Sequence, residues 1–337
     1  MDVERALALP DLAVRTLGGG VVWANDELFA GRENLINPGP AVFTPRTFGA
    51  KGQVYDGWET RRRRDTDEGT HDEAIVRLGA PGVVRAVVVD TAHFTGNFPS
   101  EASVEAVCSD GHPSVDRLRA ADWTTLVERS PLRGDTANTF AVDSDRRWTH
   151  VRLSIHPDGG VARLRVHGEV VPDPEVVAAL GTVDLAALEL GAAVTGCSNL
   201  FYGSPQRLIA PGLARSMGEG WETARRRDDG NDWVEVRLAT RGVVRVAELD
   251  TTWFLGNAPG AASLTACDGS VDWRELLPRT PLLPDTRHRF VLEQAEPATD
   301  VRLDIYPDGG MARLRLWGSP TADGLDALRA RWRDTTR

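Results

Sequence analysis

The sequence predicts an all-β protein built from two homologous antiparallel β-sandwiches in tandem, and three observations carry that expectation. The 337-residue chain repeats itself over about 150 residues, the length of a domain rather than of a solenoid unit. Within each copy the apolar residues alternate with polar ones at the period of a strand. The 33 glycines and 20 prolines supply the turns that many short strands require. These observations leave jelly-roll and immunoglobulin-like topologies open.

The repeat is read from matched segments. Gly57-Trp58-Glu59-Thr60 recurs as Gly220-Trp221-Glu222-Thr223. Each copy then runs into arginines and an aspartate, Arg62, Arg63, Arg64 and Asp65 against Arg225, Arg226, Arg227 and Asp228. Asp90 to Ser103 matches Asp250 to Ser263 at 8 of 14 positions, Trp123 pairs with Trp273, and Pro157-Asp158-Gly159-Gly160 pairs with Pro307-Asp308-Gly309-Gly310. The expected organisation is a first sandwich over residues 11–169, a linker over 170–183, a second sandwich over 184–318 and a helical tail over 319–337. Pro172, Asp173 and Pro174 give the linker its composition, with a short helix after them; Leu325, Leu328 and Trp332 give the tail its helical spacing.

Inside the first copy, Gly82 to Asp90 is β-branched and nearly continuous, as in a strand buried on both faces. Val151 to Ile155 alternates, breaks at Pro157-Asp158-Gly159-Gly160, and alternation resumes from Val161 to Val166. The two runs are expected to form a hairpin with one wet face, with Asp158 and Asp308 as turn residues.

Composition bounds the function. With 39 basic and 49 acidic residues the chain carries a net charge of −10, which argues against nucleic acid as the main partner. No apolar run approaches the ~18 residues of a membrane helix, and the first ten residues lack the apolar core of a signal peptide. Cys108, Cys197 and Cys267 fall at no Cys-x-x-Cys spacing, so free thiols in a reducing, cytoplasmic compartment are expected. No metal-ligand spacing, phosphate loop, nucleophile elbow or dinucleotide fingerprint occurs, so neither a metal nor a cofactor is expected.

The chemistry concentrates in Asp56 to Asp65, where a glutamate, a tryptophan and four arginines fall within ten residues and recur in the second copy. Arginine offers a planar fork suited to a carboxylate or a ureido oxygen. Strand alternation puts Arg61 and Arg63 on the face opposite Arg62 and Arg64, so one pair faces the ligand. Asp90 and Asn97 lie where an apolar strand meets a loop, a place where sites are often built. Histidines concentrate in the first copy: His71 faces Asn231, His93 faces Trp253, His156 faces Tyr306 and His167 faces Trp317. His71 is a natural proton donor near neutral pH.

These segments resemble the allantoicase family. The resemblance lies in Asp56 to Arg64 followed by His71-Asp72, in Val89-Asp90-Thr91 with Phe94, Gly96 and Asn97, in Cys197-Ser198-Asn199 with Phe201-Tyr202-Gly203, and in Met217-Gly218 before Gly220-Trp221-Glu222-Thr223. It covers nearly the whole chain in order. It implies two jelly-roll domains of the galactose-binding-like sort, and an enzyme that hydrolyses allantoate to ureidoglycolate and urea in purine degradation. It further implies a cytosolic homo-oligomer.

Allantoate is a carboxylate whose central carbon bears two ureido groups, so a cation fork should anchor it and an acid must protonate the departing nitrogen. Glu59, His71 and Asp90 are the candidates for acid–base duty. Arg62 and Arg63 are the candidate anchors, and the substrate-contacting set is completed by Trp58 and Asn97 and, in the second copy, by Glu222, Arg225, Arg226 and Asn257. Ala224 stands where the first copy has Arg61. The alternative expectation is a non-catalytic tandem jelly-roll protein that binds a carbohydrate or another ligand.

Overall fold

Each copy is organised around one 19-residue strand, Asp72–Asp90 in the first and Asp232–Asp250 in the second. In the first copy the pairing register jumps between Arg77 and Gly82, and the strand serves two layers. Its N-terminal half pairs with Gly20–Ala24 on one side and Arg147–His156 on the other. Glu101–Val107 and Thr124–Pro131 extend that layer to five strands. Its C-terminal half lies between Arg163–Val170 and Ala137–Ala141, the second layer. Pro81 and Gly82 sit at the bend; Pro81 has no N–H to give a ladder, and a Cβ on Gly82 would stand 2.5 Å from the Glu169 carbonyl oxygen. The strand therefore begins ten residues before the continuous apolar run that announces it in the sequence.

The second copy repeats this plan, its long strand pairing with Ala193–Cys197 and Ala298–Tyr306 and then with Arg313–Pro320 and Arg287–Val291. Both are antiparallel sandwiches of the jelly-roll class. Residues from both halves of the strand close one core: in the second copy Val234, Val236, Ala247 and Leu249 pack with Leu303, Ile305, Leu314 and Leu316. All eight are fully buried, and burying each large aliphatic contributes about 1.5–3 kcal/mol.

The expected hairpin does not form. Arg147–His156 pairs with Asp72–Asp90 and Glu101–Val107, while the chain after Pro157 crosses to the other layer. There Gly160–Val161 pairs with Trp58–Glu59, and Arg163–Val170 joins the C-terminal half of the long strand. Alternation identifies a strand without identifying its partner, and the four-residue turn is long enough to change layers. The wet face is absent too, because within Arg147–His156 only Arg152 is more than marginally exposed.

Two helices match the short elements expected outside the sandwiches, Pro174–Leu180 and Ala322–Asp334. The Asp173 carboxylate caps the former by accepting from the Glu175 N–H at 2.9 Å. Helices Val3–Leu7 and Val115–Arg119 carry no comparable signal in the sequence.

This computed structural model describes residues 2–64, 69–293 and 296–336; Asp65 of the arginine segment lies outside them. The chain divides into two compact units, one made of the residues up to Val171 together with those from Asp334 on, and one spanning Pro172–Arg333. Among the described residues no helix is long and apolar enough to cross a membrane.

Candidate active site

The strand Trp58–Glu59 sets the site in the first repeat. Trp58 is fully buried and its indole N–H donates to the Asp26 carbonyl at 2.7 Å, which locks the strand to the sandwich. Period-two geometry then turns Glu59 the other way, toward solvent. Trp58, expected among the substrate contacts, is thus an anchor of the core.

Beyond Glu59 the extended chain runs along the turn at Pro157–Gly160. Thr60 and Gly159 exchange hydrogen bonds, Thr60 N–H to the Gly159 carbonyl at 3.1 Å and Gly159 N–H to the Thr60 hydroxyl at 3.2 Å. The Arg63 N–H donates to the Asp158 carboxylate at 2.7 Å. Gly160 closes the arrangement because the Phe94 ring lies where its side chain would be: a Cβ would stand 2.0 Å from Cε1 of that ring.

The result is a cleft of about 350 Å³ lined by Glu59, Arg62, Arg64, Asn97 and Asp158, with Phe29 and Phe98 on its walls. The Asn97 amide donates to the Glu59 carboxylate at 2.8 Å. Burial raises the Glu59 carboxyl above its ordinary value, against the opposing pull of that hydrogen bond. Arg62 has no ion-pair partner among the described residues and its side chain is exposed. The cleft thus presents a carboxyl whose pKa is raised by burial, a second carboxylate, an amide and two guanidinium groups to one small volume.

Arg63, expected with Arg62 as an anchor, points the other way. Its guanidinium donates to the buried Asp72 carboxylate at 2.6 Å and 3.1 Å and to the His71 carbonyl at 3.1 Å. Arg226 reproduces this in the second repeat, binding Asp232 at 3.2 Å and Asp228 at 2.8 Å. The alternation therefore divides the arginines, one set holding the fold and the other facing the cleft.

The three expected acid–base residues do not meet. His71 lines a different recess, of about 500 Å³, on the outer face of the five-stranded layer with His156, Glu73 and Arg152. Its Nδ1 lies 2.8 Å from the Gly69 carbonyl and its Nε2 3.7 Å from Glu73, whose hydrogen bond raises the imidazole above its ordinary value. Asp90 caps its own turn, accepting from the Ala92 N–H at 2.9 Å, and does not line the cleft. Asp250 does the same with Thr252. The sequence reading sets Arg64 on the same face as Arg62 without choosing that face, and takes Asp158 for a turn residue; both line the cleft. A repeated Pro-Asp-Gly-Gly at matched positions in both copies is the signal that would have raised Asp158 above a turn residue.

The second repeat holds an equivalent cleft of about 520 Å³, in which the Asn257 amide donates to Glu222 at 2.7 Å beside Arg225, Thr223 and Asp308. Among the described residues no three His, Cys, Asp or Glu side chains gather closely enough to hold a metal ion.

Comparison with known proteins places this geometry in context. A family model described as the Allantoicase repeat matches residues 10–171 and again 183–321. The chain is 60% identical over 312 residues to a protein of Nocardia farcinica named "Probable allantoicase", covering 92% of this chain and 94% of the relative. It is 41% identical over 314 residues to the "Allantoicase" of Dictyostelium discoideum, covering 89% and 84%. Among solved structures it is similar to the crystal structure of allantoicase from Saccharomyces cerevisiae, with a TM-score of 0.77, 33% identity and 92% of each chain covered.

Proposed function

The chain belongs to the allantoicase family, and on that premise we propose that it hydrolyses allantoate to ureidoglycolate and urea in purine degradation, at the cleft of its first repeat. The observation that carries the reading is the Glu59 carboxyl, raised by burial, standing in one cleft with Asn97, Arg62 and Arg64.

The chemistry follows from the groups present. Arg62 and Arg64 take the substrate carboxylate and orient the central carbon. Urea is expelled poorly as an anion, so Glu59, in its protonated form, gives its proton to the departing ureido nitrogen as the carbon–nitrogen bond breaks. The lone pair of the remaining ureido nitrogen supplies the electrons and leaves a transient carbon–nitrogen double bond. Water then adds to that carbon, and the Glu59 carboxylate takes the water's proton, which restores the acid. Asn97 positions Glu59 between the steps, and Asp158 accepts from a ureido N–H. In this reading His71 and Asp90 have no acid–base role, because neither lines the cleft.

The free cysteines and the absence of a membrane-spanning helix among the described residues support a cytoplasmic setting. Self-association into a homo-oligomer, acting on this small molecule with no nucleic acid or membrane partner, completes the reading.

The deciding experiment is urea release from allantoate by the purified chain, with and without chelator. Turnover unaffected by chelator is expected. Glu59→Gln should lower kcat by roughly 10²–10⁴-fold with the fold intact by circular dichroism. A wild-type kcat in that variant would remove Glu59 from the acid–base role, and no urea release under any condition would favour a ligand-binding protein instead.

A further inference from the structure

The two clefts share their machinery but differ in shape, and the differences come as matched pairs. In the first repeat the Phe98 ring lies over Gly134, where a Cβ would stand 2.5 Å from Cδ1 of the ring. In the second repeat Pro284 takes the place of Gly134 and Ala258 the place of Phe98. The proline occupies the ground beneath the ring, and the ring is gone. Likewise Arg61 pairs with Asp26 in the first repeat, whereas Ala224 and Asn199 hold those positions in the second and meet through the Ala224 N–H and the Asn199 side-chain oxygen at 3.2 Å. One change removes an aromatic wall and the other an ion pair.

The gain in room is measurable, about 520 Å³ against about 350 Å³. Its lining has changed character as well. Phe201 and Tyr202 stand edge to face with ring centroids 4.4 Å apart, at 62% and 58% exposure, where the first repeat has Leu28 and Phe29. Leu255, in place of Thr95, is 72% exposed and precedes Gly256 of the cleft lining in sequence. Arg225 lines this cleft, and the counterpart of Arg64 does not. A single cation, the Glu222–Asn257 pair and an apolar wall therefore converge on one space.

We propose that the second cleft is a separate binding site for a ureido carboxylate bulkier than allantoate: an N-carbamoyl amino acid with an aromatic or large aliphatic side chain. Arg225 takes the carboxylate, Glu222 and Asp308 accept from the ureido N–H groups, and the side chain lies against Phe201 and Tyr202. This rests on the reading of the Glu–Asn–Arg set as a ureide site, and it adds a second ligand class and a second location.

Calorimetric titration of the full chain with N-carbamoyl-phenylalanine tests it. One equivalent per chain should bind. Arg225→Ala should weaken binding at least tenfold and Arg62→Ala by less than twofold. Phe201→Ala should weaken N-carbamoyl-phenylalanine about tenfold while changing N-carbamoylglycine little, which separates loss of the apolar wall from loss of fold. Absence of binding in the wild type, or binding sensitive to Arg62→Ala and indifferent to Arg225→Ala, would overturn the proposal. Urea release from allantoate by the same preparation reads the catalytic assignment independently, so either can fail alone.

Discussion

Arg62 and Arg63 are adjacent in sequence and do opposite things, which gives a direct test. Arg62→Ala removes a cleft cation with no ion-pair partner among the described residues, so KM for allantoate should rise roughly 10–100-fold with thermal stability nearly unchanged. Arg63→Ala leaves the Asp72 carboxylate, whose side chain is 1% exposed, without its guanidinium. That should cost about 3–5 kcal/mol and lower the melting temperature by roughly 10 °C. Equal effects in the two variants would contradict the division of labour. A second test concerns pH. Glu59 must hold a proton to act as the acid, so kcat/KM falls as pH rises through its raised pKa. The Asn97 hydrogen bond lowers that pKa, so Asn97→Leu should move the alkaline limb upward; a limb that stays or moves down would detach the titration from Glu59. At this scale the sequence revealed the two-faced arginine segment but not which face was wet. That was decided by Asp72, buried and nine residues on, and by Asp158, which reaches the segment across 95 residues of chain. Trp58 was misjudged for a related reason: an aromatic beside charged residues resembles a binding platform until its neighbour strand shows it packed inside.

Strands were easier to foresee than their pairings. The alternating runs around Pro157 are strands, and their partners are set by the Trp58–Glu59 strand and the bent long strand, both remote in sequence. The contact that fixes this crossing is the approach of Phe94 to Gly160, repeated as Phe254 against Gly310, where a Cβ would stand 1.9 Å from the ring. Gly160→Ala should therefore destabilise the first repeat by about 3 kcal/mol or more. It should also abolish urea release, because the turn that carries Asp158 must shift. Gly310→Ala should destabilise the second repeat similarly yet retain urea release when assayed well below its melting transition. If Gly310→Ala abolished activity in folded protein, the catalytic cleft would not reside in the first repeat alone.

For the whole molecule, the duplication was legible because matched segments survive on either side of loops that changed length. The divergence at the histidines was legible with it, His71, His93, His156 and His167 each facing another residue in the second copy; what the duplication concealed was how deeply some of them are buried. Burial and Arg77 push the fully enclosed His150 down to about 4, and burial also lowers His156; the second repeat carries Asp300 and Tyr306 at those positions. A histidine with a depressed folded pKa binds its proton more readily when unfolded, so its contribution is intact above about pH 6.5 and is lost as pH falls toward 4. By pH 5 this removes about 2 kcal/mol from the first repeat through His150 alone. His71 works in the opposite sense, since its raised pKa adds stability on acidification, but it is 39% exposed and its share is correspondingly small. In the second repeat Asp184 and Glu189 are raised by burial, which favours the folded state at low pH. Amide exchange compared at pH 7 and pH 5 should therefore show protection falling in Asp72–Asp90 before Asp232–Asp250; simultaneous loss would contradict this account. The paired replacements between the clefts bear on how such a molecule diverges. Trimming Phe98 alone opens a void above Gly134, and enlarging Ala258 alone drives a ring into Pro284. Either cleft can acquire the other's shape only through two changes made together, so a walk of single substitutions passes through a less stable protein. Once separated, the two ligand specificities are held apart by the packing beneath them, and exchanging them by design calls for swapping both members of each pair at once.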